Sequence, residues 1–224
     1  MNNEISLMQK ILTLFLRIAK LFSFSRWILG KDPDNISGLL SRIKQTRFVN
    51  YHTLIECYLI MWFLFEILII ISFPSGRLCD PVVGIIIAIL AAIRLIELFG
   101  AQLYIITYRR EKDVKLSARK ILLGLMCYVE GMLIFCLIYM GLYTGLKGTI
   151  FSLRNGLSIS SLSILYFSVA NYTTTGFGDI TALHPIAIII SSLESIFGLL
   201  FLAFFISGLV ARAFSVGELE IRNP

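Results

Sequence analysis

The chain has 224 residues, of which 57% are hydrophobic and only 15% are charged, and its mean hydropathy is +0.84. This composition excludes an ordinary soluble domain and indicates an integral membrane protein. The formal net charge of +6 comes from basic residues that flank the apolar segments, as membrane orientation requires, so it does not indicate a nucleic-acid partner. The four cysteines show no spacing typical of a disulfide framework or a metal site.

Residues 4–29 are predicted to form an amphipathic helix that lies at the membrane interface and does not cross the bilayer. Polar residues recur every three or four positions along one stripe, and most of the others are apolar. The stripe consists of Ser6, Lys10, Thr13, Arg17, Lys20 and Ser23. A helix packed on another protein element is the alternative. We interpret residues 1–53 as a cytoplasmic N-terminal region.

Four segments meet the length of about 20 apolar residues that a helix needs to cross a bilayer. They are residues 54–73, 82–108, 119–143 and 184–214. The apolar segment 159–171 is too short to cross, and we predict a re-entrant pore helix there, which membranes tolerate only when protein surrounds it. The predicted fold class is an all-α membrane protein with four transmembrane helices, this re-entrant helix and the interfacial N-terminal helix.

The distribution of lysine and arginine predicts the orientation of these segments. Sixteen of the 20 basic residues lie in residues 1–53, in residues 109–120 and after residue 211. Because basic residues concentrate on the cytoplasmic side, both termini are predicted to be cytoplasmic in a multi-pass cell-membrane protein. Residues 54–110 would form a two-helix transmembrane domain, residues 111–214 a second domain, and residues 215–224 a short cytoplasmic tail.

Residues 173–179 read Thr-Thr-Thr-Gly-Phe-Gly-Asp and resemble the selectivity filter of the potassium channel family, usually written T-V-G-Y-G-D. Glycine adopts positive φ without steric cost, which allows consecutive carbonyls to face one axis. The resemblance implies that carbonyl oxygens coordinate K⁺ here, with Asp179 at the outer mouth. The implied coordinating segment is Thr174, Thr175, Gly176 and Phe177, with the Thr174 hydroxyl, and Gly178 completes the filter.

The resemblance extends over residues 119–214, which include an inner helix similar to that of bacterial inward-rectifier and two-span potassium channels. It implies that Tyr166 and Phe167 support the filter from the pore helix, that residues 145–158 form an exposed turret loop, and that Gly198 is a gating hinge. Close helix packing explains Gly198 equally well.

Three departures from the family pattern affect the filter. Phe177 replaces a tyrosine and so lacks a bracing hydroxyl. Thr175 replaces a valine and adds a hydroxyl near the middle ion sites. Ala170 stands where some members carry a glutamate.

One chain supplies one pore loop and shows no internal repeat, so a closed ring of loops predicts a homotetramer. The resemblance implies a potassium channel that conducts K⁺ passively, with no enzymatic activity and no cofactor other than the permeant ion. The expected partners are K⁺, membrane lipid and other copies of the chain, and a separate regulatory subunit is compatible with the sequence. The alternatives are a weakly selective cation channel and a non-conducting membrane assembly or signalling subunit.

Several charged residues lie within the predicted spans, where each is costly. They are Glu56, Glu66, Arg94, Glu97, Glu130 and Glu194. Arg94 and Glu97 are three positions apart, so they share a helix face and are predicted to form a structural ion pair, with Glu66 and Glu130 as further candidate partners. A voltage sensor is the alternative, but sensors use about 3–4 charges per subunit. Glu194 is predicted to hold the inner helix against the pore helix.

Overall fold

The computed structural model describes residues 51–73, 80–108, 118–153 and 159–222. The predicted interfacial helix of residues 4–29 and most of the basic loop 109–120 lie outside these described residues. The described part contains five helices, which are α1 (Tyr51–Ser72), α2 (Pro81–Tyr108), α3 (Ala118–Gly145), α4 (Ser161–Tyr172) and α5 (Pro185–Arg222). The chain is therefore mostly helical, as its composition and periodicity predict.

Three of the described helices are long and apolar enough to cross a membrane. The crossing segments are Pro81–Gly100, Leu122–Gly145 and Pro185–Ser207. Helix α1 has 22 residues, and the count of four spans stays a prediction. Helix α5 continues to Arg222, so its backbone is helical through most of the segment that was predicted as a short tail.

The described residues divide into two compact units, one with residues 51–64 and 93–108 and the other with residues 65–73, 80–92, 118–153 and 159–222. In the first unit, Arg94 is buried and forms a 2.8 Å ion pair with Glu97 on the same helix. The Tyr58 hydroxyl accepts from Arg94 at 3.1 Å and contacts the Glu97 carboxylate at the same distance. The guanidinium also lies 5.2 Å from the Trp62 ring centroid, within cation–π range.

This arrangement bears on the role of Arg94. A buried pair is costly to break, because removing one partner leaves an uncompensated charge at about 3–5 kcal/mol. A side chain held by Glu97, Tyr58 and Trp62 fits a structural role better than a mobile sensor charge. Glu66 and Glu130 belong to the second unit, where each is only 2% exposed.

Helix α3 forms the centre of the second unit. Within its crossing segment 61% of the residues are buried, against 22% in α5. Aromatic rings join α3 to its neighbours, since Phe135 lies 6.0 Å from Tyr172 of α4 and 5.9 Å from Phe197 of α5. Helix α4 is therefore packed on α3, while much of α5 is open in the single chain.

A two-stranded antiparallel sheet departs from the all-α prediction. Strand β1 (Phe151–Leu153) pairs with β2 (Ile180–Ala182), with Phe151 opposite Ala182 and Leu153 opposite Ile180. The expectation of an exposed turret over residues 145–158 was wrong at this point, because Ile150 is fully buried and Phe151 is 6% exposed. Three-residue strands are too short to show a period-2 pattern, so periodicity could not predict them.

Glycines allow α2 and α3 to approach closely within the second unit. A Cβ atom added at Gly84 would lie 2.6 Å from the Thr144 Cβ and 2.8 Å from the Gly141 carbonyl oxygen. One added at Gly141 would overlap the Gly84 carbonyl oxygen, and one at Gly145 would lie 2.8 Å from the Ile85 side chain. This contact is the small-residue packing that membrane helices use when backbones meet.

The glycine contact predicts a sharp difference between two Gly→Ala substitutions. We expect Gly84→Ala to lower the free energy of unfolding by about 1–3 kcal/mol, because the new methyl meets backbone and a branched side chain. Gly124→Ala is the matched control, since its nearest neighbour would be the Phe205 ring at 3.7 Å. There the better helix propensity of alanine gives a gain of up to about 1 kcal/mol. Equal melting temperatures for the two purified variants would contradict the packing.

Candidate functional site

Helix α4 begins with a capping box at Ser160. The Ser160 hydroxyl accepts from the Ser163 amide at 3.2 Å, and the Ser163 hydroxyl accepts from the Ser160 amide at 3.4 Å. The helix has 12 residues and is therefore about 18 Å long, well short of the roughly 30 Å hydrocarbon core. Its length fits a re-entrant helix and not a span.

The chain leaves α4 through a Schellman motif. The amide of Thr175 donates to the Ala170 carbonyl at 2.8 Å, and the amide of Thr174 donates to the Asn171 carbonyl at 3.0 Å. The Gly176 amide also reaches Ala170, at 3.1 Å. These amides satisfy the carbonyls that every helix leaves unpaired at its C-terminus. Because N–H and C=O point in opposite directions across a trans peptide, the carbonyls of residues 173–175 point away from α4.

Positive φ recurs at every second residue of the next segment. Thr174 has φ of 56°, Gly176 of 56° and Gly178 of 74°. Alternation between left-handed and ordinary residues turns successive carbonyls to the same side of the chain, as in backbone nests. A Cβ atom at Gly176 or Gly178 would meet nothing within 4 Å. Glycine is therefore required at these two positions by conformation and not by space.

Thr174 was expected to coordinate the ion, but its positive φ was not predicted. A β-branched residue in the left-handed region is unusual and costs about 1–2 kcal/mol. Such strain persists where the surroundings over-determine the backbone, and it clusters at functional sites. The available signal was its place two residues past the end of α4, where a Schellman motif needs positive φ.

The hydroxyls of Thr173 and Thr175 lie on the side of the segment that faces α4. The hydroxyls of Thr173 and Thr175 lie 2.9 Å apart, and Thr173 donates to the Val169 carbonyl of α4 at 2.7 Å. The added hydroxyl of Thr175, expected near the middle ion sites, thus lies on the side that faces α4.

Tyr166 braces the segment from α4. Its ring stacks on the Phe177 ring at a centroid distance of 5.8 Å and an interplanar angle of 15°. The Asp179 carboxylate lies close enough to interact electrostatically with the Tyr166 hydroxyl, and it accepts from the Ile180 amide at 3.1 Å. A tyrosine ring on the helix therefore packs against Phe177, which lacks a bracing hydroxyl of its own.

Phe167 faces the opposite way from Tyr166. Its ring lies 4.9 Å from the Phe151 ring of β1 and 5.2 Å from the Tyr139 ring of α3. Tyr166 and Phe167, which were predicted to support the filter together, therefore have different contacts. Tyr166 contacts Phe177, and Phe167 anchors α4 on α3 and β1.

Glu194 of α5 is fully buried and accepts three hydrogen bonds. Ser168 donates at 2.6 Å to one carboxyl oxygen, and Asn171 at 2.6 Å and Tyr139 at 2.8 Å donate to the other. The donors come from α3 and α4, so one side chain joins three helices. A buried carboxyl group needs such partners, because an unpaired one is costly in an apolar interior.

Asn171 makes further contacts with α5. Its amide nitrogen donates to the Ser191 carbonyl at 2.9 Å, and the Ser195 hydroxyl lies 3.2 Å from its side-chain oxygen. No role was predicted for Asn171, Ser191 or Ser195. The signal was present as polar residues at helical spacing inside apolar helices, which place Ser191, Glu194 and Ser195 on one face.

Gly198 lies where α5 crosses the end of α4. A Cβ atom there would overlap the carbonyl oxygen of Tyr172 and lie 3.3 Å from its ring. Helix α5 is continuous through Gly198, so close packing has direct geometric support at this position. The gating hinge stays a prediction.

The packing at Gly198 predicts that Gly198→Ala lowers stability, even though alanine has the higher helix propensity. We expect a loss of about 1–3 kcal/mol from overpacking against backbone, measured by thermal unfolding. A Gly198→Ala protein as stable as the wild type but altered in gating would favour the hinge alone.

Two buried tyrosine hydroxyls predict opposite effects of the same substitution. The Tyr172 hydroxyl is buried without a hydrogen-bond partner among the described residues, so Tyr172→Phe is expected to be neutral or to stabilise by about 1 kcal/mol. Tyr139→Phe removes a donor to Glu194 and is expected to cost about 1.5–3 kcal/mol. Chemical denaturation of both variants measures the difference, and a larger loss for Tyr172→Phe would contradict the hydrogen-bond assignments.

Comparison with known proteins agrees with this geometry. Residues 131–215 match a protein-family model described as ion channel. The match covers well under half of the chain, begins within α3, ends within α5 and includes every residue of the segment 173–179. Comparisons with curated proteins and with solved structures found no match.

Proposed function

We propose that the chain belongs to the pore-loop potassium channel superfamily and conducts K⁺ selectively and passively as a homotetramer, and the match of residues 131–215 to an ion channel family model supports this proposal. The observation that carries the proposal is the alternation of positive φ at Thr174, Gly176 and Gly178. Together with amides tied to α4, it presents consecutive carbonyls on one side of the chain. Rings of such carbonyls replace the hydration shell of a permeating K⁺ ion.

The residues have distinct parts in this mechanism. Carbonyls of Thr174, Thr175, Gly176 and Phe177 coordinate the ion, the Thr174 hydroxyl adds an oxygen at the inner end, and Gly178 leads to Asp179 at the outer mouth. Helix α4 ends directly before these residues, and its macrodipole places about half a negative charge at that end. Four such ends favour a cation and disfavour an anion.

A ring of four copies accounts for the exposure of the filter. Residues 173–179 are all exposed in the single chain, although a dehydrating filter needs protein on every side. The face of α5 is also open and apolar, and its exposed side chains include Ile188, Ile189, Leu193, Ile196, Leu199 and Leu202. Cyclic symmetry would cover this face and bring one filter strand from each copy to a common axis.

The contact between Tyr166 and Phe177 favours selective over weakly selective conduction. The stacked rings hold the outer half of the filter against α4, and a site held in place discriminates between ions of different size better than a loose one. The weakly selective channel and the non-conducting assembly are both outcomes of the test below.

We expect purified protein in liposomes to give a K⁺ flux whose reversal potential follows the K⁺ gradient when Na⁺ is the other cation. Gly176→Ala should abolish the flux, because alanine at positive φ costs about 1–2 kcal/mol in every subunit, while Gly124→Ala serves as the matched control. A reversal potential indifferent to exchanging K⁺ for Na⁺ would establish a weakly selective channel. An assembled protein without flux would favour the non-conducting assembly.

A further inference from the structure

A buried polar cluster joins α5 to the last turn of α4. Its members are Glu194 and Ser195 of α5, Ser168 and Asn171 of α4, and Tyr139 of α3. Four contacts of 2.6–3.2 Å join these residues across helix boundaries. These directional bonds fix the relative position of the three helices at this point.

The same turn of α4 holds the filter on its other side. The Asn171 carbonyl accepts from the Thr174 amide at 3.0 Å, and the Ala170 carbonyl accepts from the amides of Thr175 and Gly176. Asn171 therefore contacts Glu194 through its side chain and Thr174 through its backbone carbonyl. Ala170 itself has no polar side chain to brace the filter, so the directional support of this turn comes from α5.

The hydroxyl of Ser168 determines which side chains can replace Glu194. It lies 2.6 Å from Glu194 and 2.9 Å from the Met132 carbonyl of α3, and its one proton goes to one of them at a time. When Ser168 donates to Met132, its oxygen can accept a hydrogen bond. A glutamine at position 194 can then donate to Ser168 and still accept from Asn171 and Tyr139.

We propose that Glu194 is a positioning residue for ion selection. By holding Ser168 and Asn171 it fixes the last turn of α4, and with it the spacing of the carbonyls of Thr174 and Thr175. The role belongs to its hydrogen bonds and not to its charge. This inference rests on the proposed function, because it assigns a determinant of selectivity to a residue that does not touch the ion.

The experiment measures the K⁺/Na⁺ permeability ratio of tetramers reconstituted in liposomes, together with their thermal stability. Asn171→Ala and Glu194→Ala each remove one partner of the hydrogen bond between Asn171 and Glu194. Glu194→Gln keeps the hydrogen bonds without the charge. Ser192→Ala is the matched control on α5, because Ser192 is exposed and bonds only to the Ile188 carbonyl of its own helix in the described structure.

We expect Asn171→Ala to lower the permeability ratio by about tenfold or more, and Glu194→Ala to do the same if it assembles. Glu194→Gln and Ser192→Ala should stay within about twofold of the wild type. An unchanged ratio in Asn171→Ala, even with lowered stability, would overturn the inference, and so would a Glu194→Gln protein as unselective as Asn171→Ala. If the wild type is selective for K⁺, either of these two results overturns the positioning role of Glu194 and leaves the proposed function standing. A wild type without K⁺ selectivity overturns both the positioning role and the proposed function.

Discussion

The hydrogen bonds from the amides of Thr175 and Gly176 to the Ala170 carbonyl are the constraint on which the rest of the site depends. The unpaired C-terminal carbonyl of a short helix turns the amides of the following residues toward α4. The carbonyls of those peptides must then point outward, where an ion can meet them. The strain at Thr174 is accepted because the helix end needs a left-handed residue at that position.

Three kinds of contact keep α4 in the place that this constraint requires. Phe167 anchors it to α3 and β1 through ring contacts, Glu194 ties its last turn to α5, and Gly198 lets the α5 backbone reach the Tyr172 carbonyl. The hydrogen bonds to Glu194 fix the position of α4, while the ring contacts and Gly198 set its distance from α3 and α5. A helix of 12 residues is in this way held by contacts from α3, α5 and β1.

Much of the fold could be predicted from the sequence, since hydrophobic length identifies the long helices and the short segment before Thr173. The resemblance of residues 173–179 to a selectivity filter predicted positive φ at Gly176 and Gly178, and both glycines have it. Sequence could not show the β1–β2 pairing, where three-residue strands carry no periodicity. It also could not show that Ser168 and Asn171 meet Glu194, because contacts between helices depend on rotation and crossing, which the apolar pattern leaves open.

The pairing of β1 with β2 has a consequence for how the proposed tetramer would assemble. It joins the chain just before α4 to the chain just after Asp179, so the loop that carries the proposed filter is closed by contacts within one chain. Contacts within one chain form without a partner, whereas subunit assembly depends on concentration. Each newly synthesised chain can therefore close this loop before it meets another copy, and assembly has only to bring folded chains together.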